Sequence, residues 1–399
     1  MDKRERNLLL STCYGHFMSH FNMLVFPAIV LPMTIALNME IGRVIGLSFW
    51  MYLLFGLTSL PWGMLADIWS PRLLFILYYT GAGISGLCAG LWIDQPELFA
   101  TALAGIGLFS GIYHPLGLGL VSKEIKDVSI GMGFNGMFGN LGLAIAPLLA
   151  GVCTWLKGPG AAYFLLGLMN ISGLILILSL PRLNSEHKKY EKSDYGQSMV
   201  KPFVILLVIM MLAGIAYRGA TLIVPAYFEL KTEAIFSWLS DDINMNISEN
   251  LAATLIISFI YLVGIPGQYL GGKVAQRFNL KLCYLIFNAI TVPAVFLMAI
   301  TTDIPLFILT VVYFFFLLGM QPIENTLLTM FTPRRLLHSA YGFKFILSFG
   351  VGSFAVFMVS GIQKHLCIEA VFPALGIVSV FLIMGIILLI KISGKMELN

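Results

Sequence analysis

Residues 63–72, Gly63-Met-Leu-Ala-Asp-Ile-Trp-Ser-Pro-Arg72, form a short polar break between two long apolar runs at about 44–66 and 72–92. A helix needs about 20 apolar residues to cross a bilayer, and each flanking run is that long. The same alternation of apolar run and polar break extends along the whole chain. Twelve such runs are found, at about 8–36, 44–66, 72–92, 97–121, 129–154, 160–180, 202–229, 249–272, 280–301, 304–330, 337–361 and 367–391. The sequence therefore predicts an all-α membrane protein with twelve transmembrane helices.

Charged residues are scarce in this chain of 399 residues. They make up 11%, whereas hydrophobic residues make up 58% and the mean hydropathy is +0.89. Soluble domains carry about 25% charged residues. So little charge cannot cover a water-facing surface, which excludes a soluble enzyme, a disordered protein and a nucleic-acid-binding protein. We expect no cleaved signal peptide, because the first apolar run is too long and further spans follow it.

The basic residues predict the orientation of the chain. If the N-terminus is cytoplasmic, 18 Lys and Arg residues lie in cytoplasmic segments and four lie outside; Arg218 and Lys344, inside apolar runs, complete the 24. This asymmetry follows the positive-inside rule and places both termini in the cytoplasm. A polar linker at 181–201 divides the chain into an N-terminal six-helix bundle at 1–180 and a C-terminal one at 202–399.

The two predicted halves resemble each other. The break at 63–72 is echoed by Gly272-Lys-Val-Ala-Gln-Arg-Phe-Asn-Leu-Lys281, 209 residues further on. Three more echoes occur in order: Tyr113-His-Pro115 with Met320-Gln-Pro322, Gly133-Phe134 with Gly342-Phe343, and Val25-Phe-Pro-Ala28 with Ile223-Val-Pro-Ala226. Chance matching in a chain with 39 Gly and 17 Pro is the alternative explanation. Four ordered echoes favour a duplicated, pseudo-symmetric arrangement.

The break at 63–72 resembles the loop 2–3 signature of the major facilitator superfamily, whose pattern is G-x-L-a-D-r-x-G-r-k. Five positions match: Gly63, Leu65, Ala66, Asp67 and Arg72. Ser70 replaces the usual Gly and Ile68 the usual Arg. The resemblance implies a transporter with a central cavity between two halves that works by alternating access. It also implies gating roles for Gly63, Asp67 and Arg72; we expect Asp67 to cap a helix end or to pair across the halves.

Two further resemblances concern the direction of transport. Span 5 is similar to the antiporter motif G-x8-G-x3-G-P-x2-G-G, with alanine at two of its glycine positions, and implies gating roles for Gly142 and Pro147 and a lean towards export. A small-residue packing face with one proline kink is the alternative. The chain also resembles the fosmidomycin-resistance branch of drug:proton antiporters. The residues that carry this resemblance are Gly15-His16, His20, Tyr113-His114-Pro115 and Gly139-Asn140-Leu141-Gly142.

Polar side chains inside apolar runs are the candidate functional residues, because burying them in a bilayer is expensive. The candidates are His16, His20, Asn22, His114, Asn135, Asn140, Arg218, Gln321, Glu324, Asn325 and Lys344. Arg218 is the strongest candidate: it is permanently charged, suits a carboxylate or phosphate, and has no acidic residue at its depth. Pairing with backbone carbonyls or with Glu229 is the alternative. The predicted substrate-binding set is Arg218, His20, His114, Asn22, Gln321, Tyr113 and Tyr217.

Glu324 and Lys344 lie at matching depths in spans 10 and 11, so they can pair. We predict that Glu324, Lys344 and His114 carry proton coupling, since buried carboxylates and histidines titrate when their surroundings change. A static ion pair is the alternative for Glu324, and packing is the alternative for the histidines.

The sequence thus predicts a proton-coupled secondary transporter of a small anionic organic solute, leaning towards efflux by antiport. Gradient-driven uptake of an organic or inorganic anion and a non-transporting receptor are the alternatives. No metal cluster, phosphate loop or nucleophile motif is recognisable, so no enzyme activity, metal or cofactor is expected. The five cysteines lack ligand-like spacing and are interpreted as packing residues. We expect a monomer in a lipid bilayer, most simply the bacterial inner membrane, whose partners are a small-molecule substrate and protons.

Overall fold

The computed structural model of the chain describes residues 3–178, 200–242, 246–332 and 337–394, and the regular structure within these ranges is entirely helical. Eleven helices there are long and apolar enough to cross a membrane, and one bent pair makes a twelfth span. The prediction of twelve membrane helices is confirmed. We number them α1 (Lys3–Ala28 with Val30–Leu37), α2 (Ile41–Ala66), α3 (Pro71–Leu91), α4 (Pro96–Glu124), α5 (Ile130–Lys157), α6 (Pro159–Leu178), α7 (Val200–Lys231), α8 (Glu249–Arg277), α9 (Leu280–Met298), α10 (Asp303–Phe331), α11 (Ala340–His365) and α12 (Ile368–Ile392).

The polar break at 63–72 contains a tight connection between α2 and α3. Helix α2 ends at Ala66, and α3 begins at Pro71, a residue that fits the first turn of a helix because it has no N–H to donate. The Ser70 hydroxyl caps α3 by accepting a hydrogen bond from the Leu73 N–H at 3.3 Å. Serine in place of the family's glycine therefore supplies the helix cap.

Helix α1 bends by 55° between its two parts, which join near Pro27. Proline lacks the N–H that would continue the helical ladder, so a bend here is expected. Helix α11 is also irregular, with a π-helical turn at Ile346–Gly350 and a 3-10 turn at Val351–Phe354. Such π-helical turns are frequent at functional sites.

Within the described residues, the most extensive contacts between the first six helices and the last six are those of α1 with α7, α2 with α11, and α5 with α8. At Gly56 of α2 a side chain would collide with the backbone of Gly350 in α11, so the contact requires glycine. The predicted boundary between the halves, 181–201, falls mostly outside the described residues, and the division into 1–180 and 202–399 stays a prediction.

Candidate functional site

Three histidines from two helices of the first half meet inside the bundle. His16 and His20 lie one turn apart on α1 and therefore share a face, and His114 reaches them from α4. The Nε2 atoms of His16 and His20 are 3.1 Å apart, and one ring nitrogen from each of the three residues lies within 4.8 Å of the others. The structure thus collects three imidazoles at one point.

His16 is held in a fixed orientation. Its Nδ1 lies 2.8 Å from the backbone oxygen of Asn135 on α5, and its ring stacks on Tyr113 with ring centres 5.1 Å apart. The Tyr113 hydroxyl donates to the Thr12 carbonyl at 2.8 Å, and the side chain is fully buried. The Tyr113 ring therefore packs against His16 and fixes its orientation. Substrate contact by Tyr113 stays a prediction.

Among the residues that the structure describes, His114 has no hydrogen-bond partner on either ring nitrogen, and it is only 4% exposed. Its ring is enclosed by Phe55 of α2 and by Phe345 and Phe349 of α11, with ring centres 5.0 to 5.6 Å apart. The two α11 rings come from the other half of the chain. His114 therefore lies where the halves meet, and Lys344 acts on it electrostatically.

Arg218 of α7 is buried, with 2% exposure, at the contact between the halves. Its guanidinium carbon lies 3.7 Å from the ring centre of Tyr52 on α2 and 5.9 Å from that of the half-buried Tyr217. Stacking on an aromatic face stabilises a desolvated cation by about 2 kcal/mol. The Nε and Nη1 atoms have no hydrogen-bond partner, and Arg218 forms no ion pair within the described ranges.

The alternative partner for Arg218 is engaged elsewhere. The Glu229 carboxylate accepts a hydrogen bond from the Asn250 side chain at 2.7 Å. Arg218 instead acts electrostatically on His20. Arg218 therefore lies close enough to His20 for their charges to influence each other.

Glu324 and Lys344 form a buried ion pair, with Oε1 and Nζ 2.9 Å apart. Glu324 also accepts a hydrogen bond from the Tyr284 hydroxyl at 2.8 Å, and Lys344 donates to the Asn325 side chain at 2.5 Å. These residues lie on α9, α10 and α11, so the whole network is within the second half. The structure brings together the two charged groups whose depths matched in the sequence.

Asn22 and Gln321 are not brought to the histidines. Asn22 is 1% exposed, and its amide is hydrogen-bonded to Ser110 at 2.9 Å and to Asn170 at 2.8 and 3.2 Å. These bonds tie α1 to α4 and α6, so the prediction that Asn22 binds substrate is not supported by its position. Gln321 accepts from Gln268 at 2.9 Å instead.

Gln268 is a polar residue that the sequence analysis passed over. It accepts a hydrogen bond from the Asn140 amide at 2.7 Å and donates to Gln321, forming a chain of three amides. The chain joins α5 of the first half to α8 and α10 of the second. Gln268 lies close to the end of its apolar run, where polar residues are ordinary, so the sequence carried no signal for this role.

The residues predicted to gate lie mostly within the first half. Asp67 follows the end of α2, and its carboxylate lies 3.8 Å from the Lys123 ammonium of α4, with both side chains largely exposed. This is its ion pair among the described residues, and pairing across the halves stays a prediction. Arg72 forms no hydrogen bond or ion pair with the described residues. Gly63 lies against Pro115, which a side-chain carbon would approach to 3.2 Å.

The two span 5 residues occupy packing positions. A side chain at Gly142 would collide with the backbone of Phe17, so this glycine allows α5 to approach α1 closely. Pro147 lies inside α5. The packing contact of Gly142 does not decide between a small-residue packing face and a role in antiport, so the gating roles of Gly142 and Pro147 stay a prediction.

The histidine cluster is a group of possible metal ligands that was not recognised from the sequence, and whether it binds a metal is not tested by its geometry alone. His16 and His20 stand four residues apart, a spacing that places two ligands on one helix face. This signal was present in the sequence. The third member, His114, is 94 residues further along the chain, and only the packing of α4 on α1 brings it near.

Known proteins with the same architecture are transporters. No curated protein matches the chain. A bacterial homologue of the human lysosomal transporter Spinster, in an inward-facing and occupied conformation, superposes with a TM-score of 0.72 at 16% identity, over 98% of this chain and 97% of that one. The nucleoside transporter NupG gives 0.74 at 14%, over 96% and 100%. A POT family transporter in complex with a thioalcohol-conjugated peptide gives 0.77 at 15%, over 95% of each chain.

At such low identities these likenesses establish the fold alone. The model of the Major Facilitator Superfamily, in contrast, matches the sequence itself over residues 12–356. This match covers most of the described spans, including the histidine cluster, Arg218 and the Glu324–Lys344 pair. The chain is therefore a multi-pass membrane transporter that belongs to the Major Facilitator Superfamily.

Proposed function

We propose that the chain is a secondary active transporter of a small anionic organic solute, coupled to protons and working by alternating access. Family membership supports the general part of this proposal. The charge of the solute is inferred from Arg218, and the coupling ion from the Glu324–Lys344 pair. We further propose that the transporter resides in a bacterial inner membrane and acts as a monomer.

Arg218 is the observation that carries the proposal. A permanently charged group at the centre of a bilayer costs about 2.5 kcal/mol or more, so it persists where it has a partner or a function. Stacking on Tyr52 offsets part of this cost, but Nε and Nη1 remain without acceptors. A carboxylate or phosphate supplies such acceptors, and the planar guanidinium binds it through charge-assisted hydrogen bonds.

The position of Arg218 also connects binding to conformational change. Tyr52 is on α2 and Arg218 is on α7, so the cation–ring contact bridges the two halves. An anion that draws the guanidinium away from the ring changes the balance between the open and closed arrangements. A ligand shifts such an equilibrium only through its different affinity for the two states.

Proton coupling is assigned to the Glu324–Lys344 pair. Protonation of Glu324 removes the negative charge that holds Lys344, leaving a buried ammonium whose nearest partner is Asn325. Helix α11 carries Lys344 together with Phe345 and Phe349, which pack on His114. A change at the ion pair is thereby transmitted to the contact between the halves.

The direction of transport leans towards efflux by antiport because of the span 5 motif and the resemblance to the fosmidomycin-resistance branch. Proteoliposomes loaded with radiolabelled small carboxylates and organophosphates, with an imposed pH gradient, test the direction. Antiport predicts efflux accelerated by protons entering the opposite way, whereas symport predicts movement with the proton.

The matched variants are Arg218→Ala and, as a control, Arg277→Ala at an exposed position near the end of α8. We expect anion flux to disappear in the first and to persist in the second. Full flux in Arg218→Ala overturns the assignment of the binding residue. Ligand binding without flux in the wild type favours a receptor instead.

A further inference from the structure

We propose that His16, His20 and His114 bind one transition-metal ion such as Zn²⁺ through their imidazole nitrogens, with a fourth position open to water or an anion. The three rings lie on α1 and α4, so the site belongs to the first half of the chain. The inference does not depend on the identity of the transported solute.

The spacing of the ring nitrogens fits a metal ion. Zinc holds histidine nitrogens at about 2.0–2.1 Å in a tetrahedral arrangement, which separates two ligand nitrogens by about 3.3 Å. The Nε2 atoms of His16 and His20 are 3.1 Å apart. His114 offers a ring nitrogen within 4.8 Å of both, so a small displacement of one side chain completes the set.

The surroundings of His16 are those of a metal ligand. The Asn135 carbonyl can only accept, so Nδ1 of His16 carries the hydrogen in their 2.8 Å contact. The lone pair of the neutral ring is then on Nε2, which faces His20. Ligating histidines characteristically donate their second ring N–H to a carbonyl or carboxylate, because this bond fixes the tautomer and the ring orientation.

His114 provides the second, independent observation. It is buried, and neither nitrogen has a partner in the described structure. An unsatisfied buried polar group is costly, by about 1–3 kcal/mol. The aromatic rings of Phe55, Phe345 and Phe349 surround it but offer no acceptor, and a metal ion at the cluster satisfies the ring where the protein does not.

The charged side chains near the three histidines influence which ligand occupies the fourth position of the metal ion. Arg218 acts electrostatically on His20, and Lys344 acts on His114. Lys344 is compensated by Glu324, so Arg218, which has no ion pair within the described ranges, is the cation that opposes a bare divalent ion. The site therefore favours a metal ion that brings an anionic fourth ligand, such as chloride or a carboxylate, and the open position of a three-histidine set accommodates one.

Titration of the purified protein with Co²⁺ tests the proposal; the sample lacks a polyhistidine tag and is kept in chloride-containing buffer. We expect one Co²⁺ per chain, the intense visible absorption of a tetrahedral ion, and its loss on addition of Zn²⁺, which binds nitrogen ligands more tightly. Changes beyond the metal ligands already weaken metal affinity by about 10–100-fold, so loss of a ligand in His16→Gln, His20→Gln or His114→Gln weakens it at least about tenfold.

His365→Gln is the matched control, because His365 is exposed at the end of α11, far along the chain from the cluster. It should bind Co²⁺ as the wild type does. A wild-type protein that binds no Co²⁺, or binds it without tetrahedral absorption, overturns the proposal whether or not the variants fold. Binding that is lost equally in His365→Gln, or retained in all three cluster variants, overturns it as well.

Discussion

Replacing Lys344 with methionine tests the buried ion pair that Lys344 forms with Glu324 in the second half of the chain. The substitution keeps an unbranched side chain of similar length but removes the ammonium. Glu324, only 4% exposed, then retains a single hydrogen bond from Tyr284 at 2.8 Å. Removing one partner of a buried pair destabilises a protein by about 3–5 kcal/mol, because the remaining charge is buried without compensation.

The remaining hydrogen bond limits the expected loss. A hydrogen bond to a charged group contributes about 1.5–3 kcal/mol, and the bond from Tyr284 remains in the variant. We therefore expect Lys344→Met to lower the free energy of unfolding by about 3 kcal/mol, the lower end of the range for breaking a buried pair. The double variant Glu324→Gln/Lys344→Met leaves no charged group at this site and should recover most of the loss. Unfolding free energies measured by titration with a denaturing detergent in mixed micelles provide the comparison.

The control is Lys391→Met, at an exposed position near the end of α12, where a change within about 0.5 kcal/mol is expected. The coupling free energy of the double-mutant cycle decides the outcome. A Lys344→Met protein as stable as the wild type, or a double variant no more stable than the single one, refutes the interpretation of Glu324 and Lys344 as an interdependent buried pair.

Three further substitutions test the contacts between helices. Gln268→Leu breaks the amide chain and leaves Asn140 without its partner, at about 1 kcal/mol for each lost hydrogen bond; cysteine-accessibility labelling should then show altered exposure between α5 and α8, and unchanged labelling argues against a link between the halves. Gly56→Ala pushes a methyl group into the backbone of α11 and should cost about 1–3 kcal/mol, whereas Gly136→Ala, with no neighbouring atom within 4 Å, should not destabilise; equal stabilities contradict the close approach. Asp67→Asn removes an exposed ion pair worth at most about 1 kcal/mol, so transport should slow without a matching loss of stability. A parallel fall in transport rate and stability contradicts a gating role for Asp67.

Hydropathy was sufficient to predict the fold, because the bilayer leaves helices as the economical way to satisfy the backbone. The matching depths of Glu324 and Lys344 followed from helical rise along two apolar runs. Hydropathy alone did not predict the bend of α1 near Pro27 or the π-helical turn of α11.

The candidate site was harder to predict, because hydropathy does not reveal which helix faces meet. Asn22 looked like a functional residue in the sequence, yet Ser110 and Asn170 satisfy it inside the first half. His114 joins His16 and His20 only through the packing of α4 on α1. The sequence could identify the polar residues whose burial in the bilayer costs free energy, but not which of them have partners in the folded protein.

The chain of amides formed by Asn140, Gln268 and Gln321 is a second feature that hydropathy could not predict. Gln268 is near the end of an apolar run, so nothing in its position distinguishes it from an ordinary interfacial residue. Its bonds to Asn140 and Gln321 depend on α5, α8 and α10 converging. Such convergence is a property of tertiary structure rather than of any single span.

The central claim is that Arg218 binds an anionic group between the two halves. A thermal-shift screen of small carboxylates and organophosphates, each paired with its uncharged amide or alcohol analogue, measures this directly on the wild type and on Arg218→Ala. We expect that at least one anion raises the melting temperature of the wild type, that its uncharged analogue does not, and that Arg218→Ala abolishes the effect. Equal stabilisation of Arg218→Ala by the same anion contradicts the claim.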